Sequence, residues 1–293
     1  MAFITAKNVP LYFGKTINAD TMPNEQDNNN FMVLATQVQL NYTPNVAVQR
    51  VVGKNPTKDS FALVGPPNAT LSFSSYIGPT DEFVPSAYTG DFDIGTTFKI
   101  GNDGNGISGS GAYMTSYSLT VTPYAPVLYQ ADFAIYQPLA TGTNTNGFIS
   151  ATTETHPLQQ DAFDFNDFGH GAYSTFNDSV LDNVSIVESV GYQYQAQRLP
   201  SYNIGGFLMN AGNGAGAKLI SAEHSFSIAG DNIQKIVSVT GANTSQALTL
   251  NIKNSTPASL LSITVDGRIN AENVTVSAAD VARGSMTITE PLV

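Results

Sequence analysis

The chain has no cysteine and no tryptophan among its 293 residues, and it is sparing with charge. Without thiols it has no disulfide scaffold, no Cys-ligated zinc or iron–sulfur cluster and no cysteine nucleophile. Charged residues make up 12% of the sequence against 42% apolar, about half the charged share of an average soluble domain. A disordered chain shows the opposite balance. Basic residues are the scarcer kind: 12 Lys and Arg stand against 23 Asp and Glu, for a formal net charge of -11. Proteins that grip nucleic acid through its phosphates carry a basic face, so this balance argues against that class. No apolar run approaches the ~20 residues of a membrane helix. The opening residues Met1 to Pro10 lack the basic stretch and apolar core of a secretory signal. A cytoplasmic or virion location is the expectation.

Motifs that carry chemistry are absent or incomplete. None of the three histidines, His156, His170 and His224, has a metal-ligand spacing such as HExxH, and each reads as a surface or loop residue. Residues 161–170 fit the start of a calcium loop, with Asp164, Asn166 and Gly169 at the first, third and sixth positions. The fifth would be Phe168 and the twelfth Thr175, which cannot serve as ligands there, so a surface loop anchored by phenylalanines is expected. Gly104, Gly106 and Gly109 spell GxGxxG but lead into a strand where a pyrophosphate site needs a helix. Residues 212–218 lack the Gly-Lys-Ser/Thr ending of a phosphate loop and read as a hairpin tip. There is no GxSxG elbow, and sequons such as Asn41-Tyr42-Thr43 arise by chance in so Asn- and Thr-rich a chain. The expectation is a non-enzyme with no catalytic, cofactor-binding or metal-ligating residues.

Two-residue alternation interrupted by Pro, Gly and Asn is what the sequence does contain, and it signals half-buried antiparallel strands. Residues 37–42 alternate Gln, Gln and Asn with Val, Leu and Tyr; Thr43-Pro44-Asn45 then reads as a turn into a returning strand at 46–50. A second hairpin is expected from 117–122 and 127–136, broken by Pro123 and Pro126. Further strands are expected at 69–77, 192–198, 219–228, 233–240, 247–252, 260–265, 274–277 and 286–289. The best helix signal is 277–284, with Ser277 as N-cap, an Ala-rich body and Gly284 at its end.

Landmarks recur at a spacing of roughly 150 residues, the length of one domain. Gln49-Arg50 matches Gln197-Arg198, Ser72-Phe73-Ser74 matches Ser225-Phe226-Ser227, residues 98–102 match 250–254, and Pro138-Leu139 matches Pro291-Leu292. Four matches in one order predict a duplicated β unit, with domains at 1–140 and 180–293 and a linker or inserted loop at 141–179. Two copies per chain allow a trimer to form a pseudo-sixfold ring. Two predicted strand faces are polar without being charged: Gln37, Gln39 and Asn41 in the first copy, Gln193, Gln195 and Gln197 in the second. A solvated exterior ordinarily mixes Lys and Glu, whereas amide-lined faces suit a wet surface that binds nothing tightly.

The duplicated unit, the stretch through Thr43-Pro44-Asn45 to Gln49-Arg50, Leu71-Ser72-Phe73-Ser74, and above all Gly111-Ala112-Tyr113-Met114-Thr115-Ser116-Tyr117-Ser118-Leu119-Thr120-Val121 followed by Pro126-Val127 resemble the tail tube, or major tail, proteins of tailed bacteriophages. The resemblance implies an all-β chain of two tail-tube-like β-sandwich or half-barrel units in tandem, with a small flanking helix at 277–284. It further implies rings, trimeric with pseudo-sixfold symmetry in duplicated members, that stack into a tube conducting DNA to the host. The partners would be the chain itself, other phage tail proteins, and DNA passing without specific binding; the place would be the virion tail, after synthesis in the host cytoplasm. On this expectation Gln37, Gln39, Asn41, Gln193, Gln195 and Gln197 form the candidate lumen face. Gly53, Lys54 and Asn55 with Asn210, Gly212, Asn213 and Gly214 form candidate ring-stacking loops. The alternatives are a head–tail connector, baseplate hub or capsid decoration protein, or a carbohydrate- or receptor-binding module using aromatics such as Tyr76, Tyr88, Phe163, Phe165 and Phe168.

Overall fold

The computed structural model describes residues 11–14, 30–33, 35–48, 61–63, 65, 68–78, 96–101, 106–137, 139–141, 165–178, 187–202, 217–230, 246–256, 258–275 and 283–292. In chain order the strands are β1 (Leu11–Gly14), β2 (Asn30–Val33), β3 (Ala35–Thr43), β4 (Val46–Val48), β5 (Phe61–Leu63), β6 (Asn68–Tyr76), β7 (Thr96–Ile100), β8 (Ile107–Val121), β9 (Leu128–Ile135) and β10 (Ala140–Thr141). A 3-10 turn at Phe165–Asp167 follows, then β11 (Thr175–Asp178), β12 (Val187–Pro200), β13 (Ala217–Gly230), β14 (Gln246–Lys253), β15 (Ser259–Thr275) and β16 (Arg283–Pro291). The protein is all-β, with no α-helix among the described residues. Fourteen strands join in one antiparallel network, through which the longest path crosses ten; β4 and β5 pair separately.

The alternation read from the sequence is what sorts these strands into two faces. In β12, Tyr192, Tyr194 and Ala196 are buried while Gln193, Gln195 and Gln197 are exposed. In β6, Ala69, Leu71 and Phe73 point in and the hydroxyl residues between them point out.

Eight strands form a continuous sheet in the order β3-β6-β9-β8-β12-β13-β16-β15. Within it the strand order repeats. The first copy runs β3-β6-β9-β8 and continues through β7 to β1; the second runs β12-β13-β16-β15 and continues through β14 to β11. The chain visits equivalent strands in the same sequence, β1, β3, β6, β7, β8, β9 and then β11 to β16. Register repeats too: Val38 faces Phe73 as Tyr192 faces Phe226, and Phe13 faces Phe98 as Phe176 faces Leu250. The copies meet at one ladder, β8 against β12, from Val121↔Val190 to Ser116↔Gln195.

One core underlies both copies. On the inner side of the eight-stranded sheet an aromatic series runs without a break. Phe13 lies 5.2 Å from Phe133 and 5.4 Å from Phe73, Phe73 lies 6.0 Å from Tyr129, Tyr129 stacks on Tyr117 at 5.1 Å, Tyr117 meets Tyr192 at 6.2 Å, and Tyr192 meets Phe226 at 5.6 Å. Phe176 closes the series edge-on to Phe226 at 5.8 Å. Offset and edge-on ring pairs each contribute about 0.5–1.5 kcal/mol beyond area burial. The cover is supplied by β1, β2 and β7 on one copy, and on the other by β11, β14 and the first half of β15, through Leu248, Leu250, Ile252, Leu261, Ile263 and Val265.

Several expectations change. Thr43-Pro44-Asn45 is not a turn between paired strands: β3 pairs β6, and β4 pairs β5 further out, so Pro44 and Asn45 interrupt one long hairpin arm. Proline lacks the N–H a ladder needs, which breaks pairing here without reversing the chain. The predicted helix at 277–284 ends in strand, since Arg283 and Gly284 begin β16, and 276–282 lie outside the described residues. The strand expected at 233–240 also lies outside them. The stretch read as a linker contains β11, which takes the place β1 holds in the first copy. Its described residues ahead of β11 are stapled to both copies: Val127 N–H donates to Gly169 O at 2.7 Å, Gly171 N–H to Ala125 O at 2.9 Å, and His170 N–H to Lys253 O at 3.0 Å.

Two substitutions test this packing. Phe226→Ala should cost about 3–5 kcal/mol in urea unfolding, the range for losing a buried aromatic ring. Gly171→Ala should cost about 1–3 kcal/mol by overpacking, because a Cβ there would fall 1.9 Å from the Thr122 carbonyl oxygen.

Candidate functional site

The outer side of the eight-stranded sheet carries the residues singled out from the sequence. Residues directly opposite in neighbouring antiparallel strands share a face, so the registers trace rows across it. One row is Gln37, Ser74, Gln130, Ser118, Gln193, Ser225, Thr289 and Arg268, one residue from each strand. Beside it runs Gln39, Ser72, Asp132, Ser116, Gln195, Glu223 and Pro291. Every member of both rows is exposed or half-exposed. Over the first six strands of the first row, Gln37 to Ser225, a long amide side chain alternates with a short hydroxyl one, so each amide stands beside small neighbours.

Gln37 and Gln39 of β3 and Gln193 and Gln195 of β12 thus come from strands far apart in the chain onto one face. Asn41 extends that face at its β3 edge, opposite Thr70. Gln197 is exposed where β12 has passed beyond β8 and pairs only with β13, opposite Ser221. Gly53, Lys54, Asn55, Asn210, Gly212, Asn213 and Gly214 lie outside the described residues. The strands around them show that 49–60 and 203–216 connect the two sides of equivalent hairpins, β3–β4 with β5–β6 and β12 with β13.

The face holds little charge. Its two rows contain two carboxylates, Asp132 and Glu223, and one cation, Arg268. Partial burial would push the Asp132 carboxyl up, but hydrogen bonds from Ser116, Ser72 and Gln130 outweigh it and hold the group below the ordinary carboxylate range. Ser116 Oγ donates to its Oδ2 at 2.5 Å and Gln130 Nε2 to its Oδ1 at 3.2 Å. The Asp132 carboxylate is therefore a fixed negative charge at neutral pH. No sequence signal marked it, because its donors come from β6 and β8 as well as from its own strand.

Elsewhere, His224 departs from the expected surface or loop position. It is 3% exposed within β13, with Nε2 2.7 Å from Glu290 Oε2 and Nδ1 3.4 Å from the Tyr192 hydroxyl. Glu290 also accepts the Asp266 N–H at 2.7 Å, so the group ties β13, β15 and β16 together beneath the sheet. Where β12 leaves β8, Arg198 lies 5.0 Å over the Tyr113 ring and donates to Ala217 O at 3.0 Å. Of the aromatics considered for glycan stacking, Phe168 is buried against Tyr76 at a ring distance of 5.5 Å. Tyr88 and Phe163 lie outside the described residues. Among the described residues no group of three or more His, Asp or Glu is placed to hold a metal ion, and His170 and Asp167 sit in a loop held by backbone hydrogen bonds.

Because the folded Asp132 pKa lies below its ordinary value of 3.8, its stabilising contribution is complete above about pH 4 and is lost as pH falls through the lower folded value. Asp132→Asn should accordingly show a shallower loss of stability than wild type in acid titration below about pH 4, read by circular dichroism. No protein-family model matches the chain, and no curated protein matches it.

Proposed function

We propose that the protein is a structural virion component that assembles into rings of a phage tail tube, with the amide- and hydroxyl-lined sheet face turned to the lumen through which DNA passes. The observation that carries this reading is the continuity of that face: eight strands from two copies of one unit present a single polar surface almost free of cations. A duplex carries one negative charge per ~1.7 Å, and Lys or Arg contacts that release its counterions make it bind. Amides, hydroxyls and two carboxylates release none, so DNA meets a hydrated, weakly repelling wall on which it slides. The net charge of -11 acts in the same sense.

The hairpin arms support the same reading. Beyond Gln195, β12 pairs only with β13, and β4 and β5 extend the first arm past the sheet. Both arms expose apolar side chains, Tyr42 and Val46 on the first and Leu199 and Ile220 on the second. Placed at the rim of a ring, they would seat against the next ring and be covered there. In this role the protein is no enzyme and holds no cofactor; its partners are itself, other tail proteins and DNA in transit.

Electron microscopy of the purified protein, and of virions labelled against it, should show hollow rings or tubes in the tail. Label on the capsid exterior, or rings that never stack, would instead fit a decoration or connector protein. Within the tube, Gln39→Lys and Gln195→Lys together should leave assembly intact and slow DNA delivery severalfold, more so at low salt. Unchanged delivery would place that face away from DNA.

A further inference from the structure

We infer that the chain pairs head to tail with a second copy of itself through two specific strand edges, β3 of one copy against the Arg268–Thr275 half of β15 in the next, and that this ladder repeats the β8·β12 ladder inside the chain. The inference rests on the repeated strand order, and on the tube reading only for what the resulting ring is used for.

In the first copy, β8 has two occupied edges. One pairs with β9; the other pairs with β7 near its start and with β12 over Ser116 to Val121. Its counterpart β15 pairs with β14 over Ser259 to Gly267 and with β16 over Arg268 to Thr275. No described strand takes, against Arg268–Thr275, the place that β12 takes against β8. At the far end of the sheet the situation is reciprocal. β12 lies between β8 and β13, whereas its counterpart β3 pairs with β6 and with no other described strand.

Burial points the same way. The inward residues of β12, Tyr192 and Tyr194, are 1% and 0% exposed, whereas their counterparts in β3, Val38 and Leu40, are only half-buried. The difference is what a missing neighbouring strand leaves. A long edge strand is ordinarily guarded by Lys, Pro, an inward charge or short length. β3 has nine residues and contains no charged residue or proline.

The register follows from the equivalences. Tyr117 faces Ala131, which faces Phe73; Ile269 faces Ile288, which faces Phe226; Ile269 therefore stands where Tyr117 does, and Arg268 where Ser116 does. In the chain Tyr117 faces Tyr194 and Ser116 faces Gln195. Between copies Ile269 faces Leu40, and Arg268 faces Asn41. The row that starts at Gln39 reaches Gln195, the counterpart of Asn41, so each four-stranded unit advances the row by two residues along the strands. A stagger of constant sign at every unit is what closing a sheet into a barrel requires, and a head-to-tail contact whose rotation closes gives a ring.

The absence of cysteine makes the test direct. Asn41 and Arg268 are both exposed, so Asn41→Cys and Arg268→Cys should fold; directly opposite residues have Cβ atoms about 4.5–5.5 Å apart, near disulfide reach. Oxidation of the double variant should move most of the chain into a covalent ladder ending in one closed species on a non-reducing gel. Each single variant oxidised alone should give no dimer by this ladder, and their mixture should give only the mixed dimer. In the unsubstituted protein, amide exchange at Gln37 to Asn41 should slow at least tenfold on assembly. Monomer after oxidation, while a Ser116→Cys/Gln195→Cys control closes its bond within one chain, would overturn the inference, as would a dimer from Asn41→Cys alone or unchanged exchange in β3. Covalent rings that do not stack would uphold this contact and sink the tube; tubes that form without the bond would do the reverse.

Discussion

Everything else in this architecture depends on the ladder between β8 and β12. It is short, six residue pairs from Val121↔Val190 to Ser116↔Gln195, yet it is where two β units become one sheet. Without it each unit would end in a bare edge, and Tyr117, Tyr192 and Tyr194 would lose the neighbours that bury them. With it, the aromatic series passes from Tyr117 to Tyr192 and the polar row from Ser118 to Gln193. One ladder thus makes the core continuous on one side and the amide surface continuous on the other. Extending a sheet in this way satisfies backbone groups by pairing rather than by charge, which suits a chain with so few charged residues to guard its edges.

The two sides of the sheet divide the labour. The inner side supplies cohesion through large rings, while the outer side carries side chains that hydrogen-bond water and one another but bring little charge. Asp132 shows how this works locally, since Ser116, Ser72 and Gln130 hold its carboxylate charged where partial burial alone would favour the neutral acid. His224 and Glu290 do comparable work below the sheet, where a buried imidazole and a carboxylate join three strands. These groups organise the sheet itself.

Much of this was legible in the sequence. Period-two alternation located most of the described strands, and the Ser-Phe-Ser repeat pointed to β6 and β13, which occupy the same place in the two copies. What the sequence hid was partnership. Pro44 and Asn45 look like a turn because Pro and Asn favour turns, but the ladder partner of β3 lies in β6, from Thr43↔Asn68 to Ala35↔Ser75, and local preference says nothing about that. β11, with the sequence Thr-Phe-Asn-Asp, has neither alternation nor β-branched bulk after its first residue; only Phe176 against Phe226 gives it a reason to be a strand. His224 reads as a surface or loop residue until Glu290, 66 positions later, is brought beside it. The polar faces were readable one strand at a time; that they form one surface is a property of register, which needs the fold.

The central claim is that each chain contributes two equivalent units to one closed sheet with its amide face inward. A strand-resolving electron cryomicroscopy map of the assembled protein tests it most directly. The account predicts a hollow ring with twice as many β units as chains, a wall of strands continuous across every boundary, and Gln39 and Gln195 lining the channel. A map in which the glutamine face points outward, or in which copies touch through anything other than the edges of β3 and β15, would contradict it.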